Sequence, residues 1–233
     1  MPSPDDQILR TWEANVRPWT QAVRAGDIAS RVAVTNEAVL GAVRAPGPRR
    51  VLDLGCGEGW ICHALAAEGV HCVGTDAIAG LIEAARAGHP VTGTPACYEV
   101  VPYADVAAGA LADRHAGAFD VIVCNFALFG AESVEALVTA LPPLLAPEGC
   151  FVMQTLHPAA ASTDAPYTDG WREGSWAGFS SDFRDPAPWY FRTIGSWVAL
   201  LHRCGFQLTA LREPVHPHTG APASLLLVAE PRP

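Results

Sequence analysis

The stretch Val51-Leu52-Asp53-Leu54-Gly55-Cys56-Gly57-Glu58-Gly59-Trp60 reads as a buried strand, a three-glycine turn and the start of a helix. Val51, Leu52 and Leu54 form the apolar run of a strand covered on both faces, and the glycines allow a turn sharp enough to bring backbone against a ligand. Asp53 interrupts the run. A carboxylate at the end of a central strand is costly unless something polar meets it, so a cationic or hydroxyl-bearing ligand is its natural partner.

The glycine spacing separates two nucleotide chemistries. Dinucleotide loops follow G-x-G-x-x-G, with backbone amides and a helix N-terminus turned to a pyrophosphate. Here the spacing is G-x-G-x-G, Trp60 is bulky, and Glu58 places a negative charge in the turn. A pyrophosphate is repelled there; a ligand carrying an ammonium and a sulfonium is not. The pattern D-x-G-x-G, with Asp76 at the end of the next strand, resembles the glycine-rich motif of class I, seven-strand S-adenosylmethionine-dependent methyltransferases. The resemblance implies that Asp53, Gly55, Cys56, Gly57, Gly59 and Trp60 carry the methionine part of that cofactor, and that Asp76, with Ala77 beside it, holds the ribose hydroxyls. The alternative is a tight turn with no ligand.

Composition sets the outer limits. A chain of 233 residues, half of them hydrophobic, can bury one good core. Its net charge of −9 supplies no basic patch for a nucleic-acid partner. The cysteines at 56, 62, 72, 97, 124, 150 and 204 form no C-x-x-C pair and read as reduced thiols of a cytoplasmic protein. The start Met1-Pro2-Ser3-Pro4-Asp5-Asp6 has neither a basic nor an apolar leader region, and no window reaches the length of a membrane span.

Residues 1–45 are expected to form a helical cap. Ile8, Leu9, Trp12, Val16, Trp19 and Val23 recur at helical spacing over 7–24, with a break or kink near Pro18, and a second helix capped by Thr35 carries Val39, Leu40 and Val43 inward. In the resembled family such helices lie over the cofactor mouth, which brings in Trp12, Asn15, Trp19 and Arg31. Arg31 is either a fork donor to the cofactor carboxylate or a solvated charge.

From residue 46 onward strand and helix alternate, the mark of a doubly wound α/β sheet with right-handed crossovers. The family resemblance implies seven strands, mostly parallel, in the order 3-2-1-4-5-7-6 with the last strand antiparallel. Val70 to Asp76 supply the second strand, and the helix after it is closed by Gly88 and Pro90. Ala96-Cys97-Tyr98-Glu99-Val100-Val101-Pro102-Tyr103 resembles the family stretch G-D-A-E-x-L-P-F, whose acid meets the adenine amino group; Cys97 takes that acid's place. The adenine contact then passes to the backbone of Tyr98 or Glu99, or to the Glu99 side chain.

Phe119-Asp120-Val121-Ile122 matches the family's fourth strand, whose end faces the methyl group. Asn125 and Phe126 follow in place of N-P-P-[YF], which disfavours planar amino groups of bases as acceptors. Asn125 either orients the acceptor or caps the next helix, and the resemblance also places it among the cofactor contacts. His157 follows the fifth strand, where an imidazole either takes a proton from an acceptor or hydrogen-bonds loop backbone; Tyr190 and Asp169 are more distant candidates for a base. His216-Pro217-His218 lack a third ligand, so no metal is expected. The segment 158–192, rich in Trp171, Trp176, Phe179, Phe183, Trp189 and Tyr190, is expected either to close over an acceptor pocket or to form a homodimer contact. Phe126, Trp171, Trp189, Tyr190 and Arg192 are its candidate acceptor-binding residues.

The resemblance is to the small-molecule methyltransferases of ubiquinone and menaquinone biosynthesis, and implies methyl transfer to an oxygen, nitrogen or carbon nucleophile of a small, partly apolar molecule. A non-catalytic S-adenosylmethionine or S-adenosylhomocysteine binder is a second reading. A nicotinamide-dependent oxidoreductase is a third, opposed by Glu58 and Trp60.

Overall fold

A computed structural model of the chain describes residues 3–89, 93–162 and 165–232. Strands β1 (Arg50–Leu54), β2 (His71–Asp76), β3 (Cys97–Val100), β4 (Phe119–Asn125) and β5 (Leu145–Thr155) run parallel, and β8 (Phe206–Arg212) and β9 (Leu225–Pro231) complete a seven-stranded sheet. Its order is β3-β2-β1-β4-β5-β9-β8. Strand β9 is antiparallel to both neighbours. With the separate two-stranded ribbon of β6 (Gly170–Arg172) and β7 (Trp189–Phe191) set aside, this is the expected order.

The alternation along β1 explains the layering. Leu52 and Leu54 face a cluster with Ile122, Phe151 and Met153, covered by the short helices α6 (Tyr103–Ala107) and α7 (Ala112–His115) and by α8 (Glu132–Thr139) and α9 (Ile194–Arg203). Val51 faces the other way, with Val121, Val123 and Val152, beneath α3 (Asn36–Arg44), α4 (Trp60–Ala66) and α5 (Ala79–Gly88). Both faces are buried and apolar, and each fully buried Val, Leu or Ile contributes about 1.5–3 kcal/mol. Asp120 of the Phe-Asp-Val-Ile stretch ties β4 to the start of β1, its Oδ2 accepting from the Arg49 and Arg50 amides at 2.7 and 2.9 Å.

Several local expectations change. The N-terminal helix is two helices, α1 (Pro4–Ala14) and α2 (Val16–Ala25), and the break falls at Asn15 (φ −112°, ψ 15°) rather than at Pro18. Pro18 lies in the first turn of α2, where a missing N–H removes no intrahelical bond. Thr35 makes no side-chain cap; it ends a π-helical turn, Arg31–Thr35, that runs directly into α3. Thr193 does cap α9, accepting from the Ser196 amide at 3.0 Å. Pro90 lies outside the described residues.

The register of β3 sets which of its residues reaches the carboxyl edge of the sheet. Cys97 pairs with Val73 and Val100 with Asp76, so Cys97 lies three residues short of the carboxyl edge where Asp76 ends β2. The residue level with Asp76 is Val100, which is exposed.

Candidate active site

The glycine turn folds as its sequence requires. Gly55, Gly57 and Gly59 all have left-handed φ (68°, 58° and 84°). A Cβ on Gly55 would lie 2.5 Å from the Ala127 side chain and 2.7 Å from the Tyr103 hydroxyl, so side-chain-free backbone is a packing requirement as well as a conformational one. Cys56 is buried, its thiol against the Gly57 carbonyl at 3.6 Å.

Three carboxylates gather at this turn, and all are buried. Asp53 is pushed up to about 8, first by burial and then by neighbouring Glu58 and Asp76. Burial also raises Glu58 and Asp76. Asp76 accepts from the Gly57 amide through Oδ2 and from the Ile78 amide through Oδ1, both at 2.9 Å, with the Ala77 backbone also turned to it. Against about four lone-pair sites, these contacts leave the carboxylate with acceptor capacity to spare.

Arg31 is the cation nearest this group. Only 6 % exposed, its guanidinium lies 5.6 Å from the Trp19 ring centroid and 4.9 Å from that of Trp60. Nε donates to Asn36 Oδ1 at 3.2 Å, while Nη2 is buried without a partner among the described residues. Glu58 mirrors this state: Oε2 accepts from Trp19 Nε1 at 3.0 Å and Oε1 is buried and unpaired. Arg31 and Glu58 feel each other's charge, yet no ion pair joins them. Two orphaned groups of opposite sign, both beside Trp19, are complementary to a ligand that is itself a zwitterion.

A cover lies over this turn. Trp12 contacts Trp19 at 4.9 Å and Trp176 at 5.8 Å between centroids, Phe179 stacks on Trp19 at 6.5 Å, and Trp176 and Phe183 meet at 4.7 Å. Asn15, fully buried, clamps the cover to α1. Its Nδ2 donates to the Arg184 carbonyl at 2.8 Å and its Oδ1 accepts from the Arg184 amide at 3.0 Å. Thr11 Oγ1 adds a bond to the Asp185 carbonyl at 2.7 Å.

Other singled-out residues are held elsewhere. The His157 ring is 3 % exposed and both nitrogens are engaged: Nδ1 accepts from the Ala159 amide at 3.2 Å, so Nε2 carries the hydrogen and meets Glu213 Oε1 at 2.8 Å. It links the loop after β5 to the end of β8 and has no lone pair left for an acceptor's proton. The Glu99 carboxylate pairs with Arg114 at 3.0 and 2.7 Å, and the Tyr98 carbonyl accepts from Arg86 at 2.6 Å. Arg192 donates to the Gly130 and Ala131 carbonyls at 2.9 and 2.7 Å, between the Tyr190 and Trp197 rings. With Trp171, Tyr190 and Asp169 it lines a separate cavity of about 320 Å³ bordered by Glu132, Glu135 and Arg203 on α8 and α9. Trp189 stays in the ribbon, 6.0 Å from Phe191. Phe126 follows β4 with φ 51° and donates its amide to the Gln154 carbonyl at 2.8 Å. Asn125 caps no helix; its Oδ1 accepts from Gln154 Nε2 at 2.7 Å.

Two further residues draw notice at the sheet edge, Val100 and Gln154. Val100 is level with Asp76 in the ladder between β2 and β3, a placement that the motif spacing alone does not give. Gln154 had a readable signal, a lone amide at the end of an otherwise apolar strand. Among the described residues no group of three or more His, Cys, Asp or Glu side chains is placed to hold a metal ion, and no helix is long and apolar enough to cross a membrane.

Comparison with known proteins gives the family and the fold. The methyltransferase domain family model matches residues 28–211. A ubiquinone biosynthesis O-methyltransferase from Xanthomonas axonopodis pv. citri is 31% identical over 117 residues, covering 50% of this chain and 47% of that protein. The chain thus spans about half the length of the curated relatives it matches. An S-adenosylmethionine-dependent methyltransferase from Mesorhizobium loti is similar in structure, with a TM-score of 0.59 and 26% identity, covering 81% of this chain and 95% of that one. The Burkholderia thailandensis 1,6-didemethyltoxoflavin-N1-methyltransferase, solved with its substrate and S-adenosylhomocysteine bound, gives a TM-score of 0.68 at 16% identity over 100% of this chain and 92% of its own.

Proposed function

The chain belongs to the methyltransferase domain family, and from that premise we propose that it moves a methyl group from S-adenosylmethionine to an oxygen, nitrogen or carbon nucleophile of a small, partly apolar molecule. The observation that carries the reading is the pair of orphaned buried atoms, Arg31 Nη2 and Glu58 Oε1. An amino-acid end satisfies both: Arg31 takes the carboxylate and Glu58, with Asp53 behind it, the ammonium. Asp76 holds the ribose hydroxyls on its free lone pairs, and Val100 offers an apolar face for adenine at the same level of the sheet. The same buried carboxylates oppose the pyrophosphate that a nicotinamide cofactor would bring.

The cofactor, when bound, supplies a methyl group already activated by its sulfonium. What remains for the protein is to hold a nucleophile in line and keep water out. Residues 1–45 and 158–192 serve as one cover for that purpose, through Trp12, Trp19, Trp176 and Phe179. His157 is a strut between loops in this role assignment, and the reaction uses no dedicated base. The acidic net charge supports a small-molecule partner over a nucleic acid, and seven free thiols support the cytoplasm. Self-association as a homodimer is compatible with the exposed Trp171 and Tyr167.

Calorimetric titration with S-adenosylhomocysteine and with NAD tests the reading: binding of the first and not the second is expected. Mass spectrometry of a phenol, carboxylic-acid and amine panel incubated with S-adenosylmethionine then distinguishes transfer from binding alone. Transfer to no acceptor would leave a non-catalytic binder.

A further inference from the structure

Three apolar columns of the sheet end in polar residues at the same edge. On the face covered by α3, β4 carries Val121, Val123 and then Asn125; its partner β5 carries Cys150, Val152 and then Gln154; β9, running the other way, carries Val228, Leu226 and, just before its start, Ser224. Gln154 is 1 % exposed and Ser224 fully buried. Polar groups this deep persist only if they are hydrogen-bonded, and here they form one chain.

The orientation of that chain is dictated from one end. Gln154 Nε2 lies 3.0 Å from the Thr35 carbonyl, which can only accept, so the amide nitrogen and not the oxygen must point there. The second hydrogen of Nε2 then goes to Asn125 Oδ1 at 2.7 Å, while Gln154 Oε1 accepts from Ser224 Oγ at 3.0 Å. Asn125 consequently must turn its oxygen to Gln154 and its nitrogen away. No hydrogen bond among the described residues uses Asn125 Nδ2, and Asn125 is only half-buried, at the carboxyl end of β4 where Phe126 turns the chain out of the sheet.

Resting on the methyltransferase reading, we infer that Asn125 is the acceptor-orienting residue and that Gln154 is a positioning residue which holds its donor side outward. A site whose fixed polar group offers only N–H takes acceptors bearing oxygen lone pairs at or beside the methylated atom. It disfavours alkylamines, which are ammonium ions near neutral pH and whose own hydrogens would face those of Asn125. Between acceptors carrying an oxygen lone pair, such as phenols and carboxylates, and alkylamines, the site therefore selects the former.

The test uses the full chain saturated with S-adenosylhomocysteine, with catechol and benzylamine as calorimetric probes. Catechol is expected to bind the wild type at least about tenfold more tightly than benzylamine, and Asn125→Leu to remove that advantage, since one hydrogen bond with a buried partner is worth about tenfold or more. Gln154→Met is expected to lower the preference in the same direction, and the double variant to add little beyond either alone, because both act through one N–H pair. In Gln154→Met, binding of S-adenosylhomocysteine is expected to change by less than about threefold, a split that general loss of structure would not produce. Should either variant fail to fold, Asn125→Asp, which keeps shape and replaces donor by acceptor, is expected to reverse the preference toward benzylamine. Equal or tighter benzylamine binding by the wild type overturns the inference, as does a Gln154→Met variant that loses S-adenosylhomocysteine and catechol together. A wild type that binds no S-adenosylhomocysteine overturns the methyltransferase reading instead.

Discussion

Arg31 is a buried cation between two indoles with one nitrogen unused, a state that costs free energy unless a ligand anion completes it. Replacing it by leucine keeps much of the packing and removes the fork. Arg31→Leu is expected to weaken S-adenosylhomocysteine binding by about tenfold to a hundredfold, the worth of a charge-assisted hydrogen bond, as read by calorimetry. Asp53 carries a pH signature of its own. Its carboxyl ionises near 3.8 when unfolded and is pushed up to about 8 in the fold, mainly by burial. The folded state therefore keeps the proton longer, and the stability this gives is complete below pH 4 and falls away as pH rises toward 8. Asp53→Asn, which cannot ionise, is expected to gain on the wild type between pH 5 and pH 8 by on the order of a few kcal/mol in denaturant titrations without ligand. An unchanged difference between the two pH values would remove Asp53 from the charge balance of the turn.

At the scale of elements, the parallel sheet was readable because its strands announce themselves twice, as apolar runs and as turn chemistry. Gly55, Gly57 and Gly59 fix the first crossover, and Asp76 the end of the second strand. Register was not readable from pattern alone. A run such as Cys97 to Val100 aligns equally well with a motif at several offsets, and only the ladder to β2 decides that Val100, and not Cys97, stands beside Asp76. The break at Asn15 was also invisible locally, because its cause is a segment far along the chain: Asn15 leaves helical geometry while its amide binds both backbone groups of Arg184. Asn15→Leu strands that carbonyl and N–H against an apolar side chain. A loss of about 1–3 kcal/mol in stability is expected from thermal melts, with faster protease cleavage confined to 173–186.

Across the whole molecule, the site is assembled from the sheet edge below and from two chain segments above, the N-terminal helices and the long insertion after β5. Trp19 touches all three: its indole nitrogen binds Glu58, its ring meets Arg31, and its other neighbours are Trp12 and Phe179. On the proposed reading, a ligand that seats its ammonium on Glu58 lies beneath Trp19, with the acceptor nearer the outside of the stack. An ordered turnover is therefore expected, with donor loaded first and its spent form leaving last. Product-inhibition kinetics are expected to show S-adenosylhomocysteine competing with the donor alone, while a random sequence would mean that the tryptophan stack parts independently for each.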